Sequence, residues 1–134
     1  MLAIAFVCGC TQTRNARPSP DPIAVLQAIP PSDPAQYERI ADTKKWRNPY
    51  LIVRPDGVAL YDSADNAEII LKPDEVIAAL ARLPEANWPY GRVVAVEAVG
   101  RATEEGAVAI RRNQGIVGGM LQGAHISVRW VPEN

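Results

Sequence analysis

The sequence predicts an α+β fold: a two-layer sandwich whose four-stranded sheet carries two helices on one face, in the order ββαβαβ. Three observations predict it. Two apolar tetrads, Tyr50-Leu51-Ile52-Val53 and Val58-Ala59-Leu60-Tyr61, flank a Pro-Asp-Gly turn. Two stretches, 73–83 and 104–122, place apolar residues at helical spacing, and each is followed by a strand-like run. Two consecutive strand–helix–strand units imply right-handed crossovers, which put both helices on the same side of the sheet.

Each element has a local cause. Asp21-Pro22 and Asp33-Pro34 each read as an N-cap followed by proline at the first helical position, and Pro30-Pro31 ends the first short helix. In Arg54-Pro55-Asp56-Gly57, proline presets the first corner of a type I turn and glycine takes the positive φ of a bulged hairpin. Ile69, Ile70 and Leu71 allow a further short extended piece. Over 73–83, Val76, Ile77, Leu80 and Leu83 share a face, with Asp74 and Glu75 at the favourable end of the dipole. Residues 93–99 are apolar on both faces except for Glu97, as in a central strand. Helix 104–122 contains Gly106, Gly115, Gly118 and Gly119, each costing up to ~1 kcal/mol against alanine, so it either packs very closely or breaks near 113–115. Ile126, Val128 and Trp130 alternate with Ser127 and Arg129, giving the last strand one wet face.

The chain divides into a signal at 1–9, a tether with a short helix at 10–33 and a globular domain at 34–134. Val7-Cys8-Gly9-Cys10 closes an uncharged apolar run and resembles a bacterial lipobox, with Cys10 the acylated residue. Nine residues cannot cross a bilayer, which needs about 20, but they match the apolar core of a signal peptide. No Lys or Arg precedes that core, so the true start is expected upstream of Met1. Two or three acyl chains anchor stably where one binds reversibly. The expected location is the bacterial cell envelope, lipid-anchored, with the domain facing the periplasm or exterior. Cys8 and Cys10 are the cysteines of the chain, so cleavage before Cys10 leaves neither a disulfide nor a thiolate zinc site.

With 14 basic and 15 acidic residues the net charge is −1, and no basic stripe points to nucleic acid. The P-D-G hairpin, the Pro-Asp-Glu helix start, the V-V-A-V strand and the closing G-A-H-I-S-V-R-W-V-P run together resemble the periplasmic domain of the ExbD/TolR biopolymer-transport family over 49–132. That resemblance implies a compartment, a sheet-mediated homodimer, and envelope-protein or peptidoglycan partners. It implies no proton-coupling residue, because the family's transmembrane aspartate has no counterpart in the N-terminal run.

The candidate binding residues are Trp46, Trp88, Tyr90 and Arg129. Trp46, within Lys44-Lys45-Trp46-Arg47, either touches headgroups or wall polymer or packs the tether onto the domain. Trp88-Pro89-Tyr90-Gly91 forms either a shelf for a sugar or peptide or a cap on the core. Glu97 is either a buried carboxylate of raised pKa or the partner of Arg92 or Arg129. His125 lacks a second histidine or a cysteine for a metal, and a Ser127/His125/Glu97 triad fails because two members share one strand. Gly115-Ile116-Val117-Gly118-Gly119 lacks the lysine of a phosphate loop. No catalytic set, cofactor or metal is expected. The expected function is a non-catalytic envelope lipoprotein whose domain binds a protein partner or wall polymer; the alternative is a small-molecule or glycan module using the Trp88-Pro89-Tyr90 loop.

Overall fold

Proline and aspartate pairs start the first two helices as their chemistry dictates. A computed structural model describes residues 20–62 and 65–132. In helix α1, Pro22–Gln27, and helix α2, Pro34–Tyr37, the side chains of Asp21 and Asp33 accept from Ile23 N–H and Ala35 N–H. The expected signal at 1–9 and the expected acylation site, Cys10, lie outside the described residues.

The sheet is mixed and open, with five strands: β1 Tyr50–Arg54, β2 Gly57–Asp62, β3 Ala67–Leu71, β4 Val93–Ala98 and β5 Ser127–Trp130, in the order β3-β2-β1-β4-β5. This corrects the expected four. The short piece at Ile69–Leu71 begins earlier, at Ala67, and pairs antiparallel with β2 from Val58↔Leu71 to Asp62↔Ala67. The alternation that marks a strand is missing there because the edge strand leaves Ile69 and Ile70 exposed. The β1–β2 hairpin pairs Arg54 with Gly57 across Pro55-Asp56, while β1–β4 and β4–β5 are parallel.

One face of the sheet holds the main core. Leu51, Val53, Val58, Leu60, Val94, Val96 and Ala98 meet helix α3, Val76–Ala81, and helix α4, Glu104–Gly123. A 3₁₀ turn at Pro73–Glu75 supplies the first turn of the stretch expected as one helix. Helix α1 joins the same layer against α3, with Leu26 fully buried and Ile29 nearly so. Leu26 and Ile29 of residues 22–29, placed in the tether by the expected boundary at 33, therefore pack into the domain's core.

Helix α4 runs unbroken for 20 residues. Close packing accounts for Gly106, where a Cβ would lie 2.5 Å from the Gly100 carbonyl oxygen, but a Cβ at Gly115 or Gly119 would meet nothing within 4 Å. Neither expectation explains those two glycines.

Segment 31–49 crosses the second face over β4 and β5. Trp46, Tyr90, Val93 and Ala95 form a second buried cluster there, packed by Tyr37, Ile40, Tyr50 and Val131. Gly91 fixes where this segment starts: its φ is +79°, and a Cβ would sit 2.4 Å from the Pro31 carbonyl oxygen. That close approach lets Arg92 N–H donate to Pro30 O at 2.9 Å and Asp33 N–H to Tyr90 O at 3.1 Å.

Candidate functional site

The second face is covered over β4 and β5 and left concave over β1 and β2. Side chains on a strand alternate, so Leu51 and Val53 facing the helices leave Tyr50 and Ile52 on the other side. The register adds Tyr61 opposite Tyr50, and Glu97 beside Ile52. With Thr43, Lys44, Trp46, Asn48 and Glu68 these residues line a groove of about 420 Å³.

Its rim is rigidly built. Asn48, buried, donates from Nδ2 to Gly91 O at 2.8 Å and Val93 O at 2.9 Å, and accepts from Tyr90 N–H at 2.9 Å. Trp46 Nε1–H donates to Pro49 O at 3.1 Å. These bonds use both donors of Asn48 and the one donor of Trp46, and leave donation in the groove to other groups.

In the groove Tyr50 Oη donates to Glu97 Oε2 at 2.5 Å. Burial, followed by the bond to the Glu97 carboxylate and its charge, pushes the Tyr50 phenol well above its ordinary 10.0. Tyr61 stands edge-on to Tyr50, ring centroids 6.4 Å apart, and donates to Asn66 Oδ1. Arg54 grips Glu68 with two bonds, 2.7 and 2.8 Å, and holds its carboxyl below the usual carboxylate range.

The four expected binding residues do not form one exposed site. Trp88 is 4 % exposed and packs in the helix-side core, while Tyr90, 9 % exposed, lies in the second cluster. The aromatic shelf is thus corrected to two core positions, because Trp88 and Tyr90, on either side of Pro89, fill opposite layers. Trp46 is buried at 7 % and stands edge-on to both Tyr37 and Tyr90, with Lys44 and Lys45 left on a 3₁₀ turn outside. Arg129 lies over the rings of Tyr37 and Trp46 and donates to Tyr37 O and Ile40 O at 3.2 and 2.7 Å, so it fastens the covering segment. Arg129 is therefore not the partner of Glu97. Tyr50, Tyr61 and Lys44 were missed as site residues, although period-two alternation about Leu51 and Leu60 is the signal that puts both tyrosines on the face away from the helices.

A second concave surface runs along the edge of β5, which pairs with no further strand among the described residues. Ser127 N–H donates to Arg92 O and Val131 N–H to Val96 O, so in this parallel pairing Val128 and Trp130 turn their backbone groups outward. Gly118 and Gln122 of α4 join Val128 and Trp130 around a trough of about 410 Å³, and Trp130 is 49 % exposed. Ser127 Oγ is bonded to Ser32 Oγ at 3.0 Å, at the opposite end of the strand direction from Glu97.

Among the described residues no group of His, Cys, Asp and Glu is arranged to hold a metal ion, and no helix is long and apolar enough to cross a membrane. No family model matches this chain, and no curated protein or solved structure is found to be similar to it.

Proposed function

We propose that the chain is a non-catalytic cell-envelope lipoprotein, acylated at Cys10, whose α+β domain binds an envelope protein by taking one of that partner's strands onto β5. The observation that carries this reading is the β5 edge, unpaired among the described residues, with the α4 trough beside it. An added strand finds outward donors and acceptors at Val128 and Trp130, and its alternate side chains enter the trough at Gly118. The β3 edge is less suited: it carries Glu68, bonded to Arg54 of β1, and charge on an edge discourages strand addition. The lipobox resemblance supplies the compartment, and the likeness to the ExbD/TolR periplasmic domain supports an envelope partner.

The test is a photo-crosslinking residue at position 130 in living cells, combined with Val128→Pro. Proline deletes an outward N–H and leaves the bonds of 127 and 131 to β4 intact. One discrete crosslinked envelope protein, lost in Val128→Pro and kept in Ile70→Asp, is the expected outcome. Crosslinks unaffected by Val128→Pro, or capture of peptidoglycan alone, would overturn it. Cys10→Ser should abolish acylation and release the domain from the membrane.

A further inference from the structure

We infer that the groove over β1 and β2 is a binding site for an organic cation, a primary alkylammonium on a short aliphatic stem, with Glu97 taking its charge. This site is separate from the β5 edge and stands or falls independently of it.

The groove has the size of a small-ligand site, at about 420 Å³. Three side chains of the charged types line it: Glu68, Glu97 and Lys44. Glu68 is neutralised by the two bonds from Arg54. Lys44 is exposed and makes no ion pair with Glu97. Glu97, half-buried, receives the Tyr50 hydroxyl on one oxygen and forms no ion pair among the described residues.

The direct partner of this half-buried carboxylate is a single phenol, and the Arg54 guanidinium, bonded to Glu68, reaches it only through space. A ligand ammonium supplies a direct cationic partner through a charge-assisted bond to the second oxygen. Tyr50 and Tyr61 line the same space, and aromatic rings attract cations. Ile52 offers an apolar floor for methylene groups. An anion would meet Glu97 unfavourably. Asn48 and Trp46 have spent their hydrogen bonds on the backbone, so a neutral sugar finds few free donors.

The probes are pentylamine and Nα-acetyl-lysine methylamide, with Nα-acetyl-norleucine methylamide (norleucine below) as the neutral match, titrated into the ¹⁵N-labelled chain. Expected are saturable shifts of the Trp46 indole and of the Tyr50 and Glu97 amides with the amines and none with norleucine. Binding by the lysine derivative indicates a side chain of a partner, and binding by pentylamine alone a free amine; both support the site. Glu97→Gln keeps an acceptor for Tyr50 and should weaken binding by about tenfold or more, the loss of one charge-assisted contact. Lys44→Gln should leave binding unchanged or tighten it. An equal response to norleucine, Glu97→Gln binding as wild type with unchanged Tm, loss of binding in Lys44→Gln, or no saturable shift with either amine would overturn the inference.

Discussion

Tyr50 donates its hydroxyl to Glu97 from a half-buried position, and burial together with that carboxylate holds the phenol protonated far above its ordinary 10.0. In the unfolded chain the same phenol titrates near 10. Stability from this group is therefore fully present below about pH 10 and is lost as pH rises above it, because the unfolded state releases the proton first. Tyr50→Phe removes the titration, so wild type should lose stability more steeply than Tyr50→Phe between pH 10 and 12 in urea melts. Equal slopes would mean the phenol is not held protonated. The sequence marks Glu97 as a carboxylate on an apolar strand that needs a partner, but not which one. Strand order decides that: β1 lies beside β4, and Tyr50 sits two residues back from Ile52, the register partner of Glu97. Arg129 was a reasonable candidate on charge, yet the carbonyls of Tyr37 and Ile40 hold it. Those contacts arise from a covering segment whose path local pattern does not carry.

Helix α4 sets the element scale, since its start and end are legible and its glycines are not. Thr103 accepts from Gly106 N–H at 2.9 Å, Glu104 and Glu105 occupy the first turn, and Ile110, Val117 and Leu121 make the buried stripe. The apolar stripe is the feature that predicted a helix over 104–122, while the Thr103 cap emerges only in the structure. Gly115 and Gly119 face open space, where a Cβ costs nothing sterically. Gly115→Ala and Gly119→Ala should each stabilise the chain by up to about 1 kcal/mol, read as a shift in the urea midpoint. Gly106→Ala should destabilise it, because its Cβ would meet the Gly100 oxygen at 2.5 Å. Destabilisation at all three would show that α4 packs against something on its outer face. The hairpin was legible for the same reason as the helix, since Pro55 and Gly57 act locally. Strand β3 was legible only in part: Ile69 and Ile70 lie exposed on an edge, so burial imposes no alternation on them.

The arrangement of the whole molecule depends on what happens before the first strand. Composition alone makes 10–33 look like tether, because it is rich in proline and short of sustained apolar period. Helix α1 nevertheless seals one end of the helix layer against α3 with Leu26 and Ile29, and Pro30 and Pro31 then dock on Arg92. One buried residue in a six-residue helix, Leu26, with Ile29 just after it, gives too weak a period to separate a docked element from a linker; only the space they fill distinguishes them. Segment 31–49 follows and builds one wall of the groove, so the N-terminal third serves both core and site. Burying Leu26 and Ile29 is worth about 1.5–3 kcal/mol for each side chain. A chain truncated to begin at Pro34 should therefore be less stable than one beginning at Pro20 by at least about 3 kcal/mol. It should also lose Asp33 N–H from Tyr90 O and the bridge at Arg92, loosening the groove wall. Hydrogen exchange should then speed up first at Arg92 and across β4, ahead of the β1–β2 hairpin. Equal stability of the two chains would return α1 to the tether and restore the boundary that composition suggests.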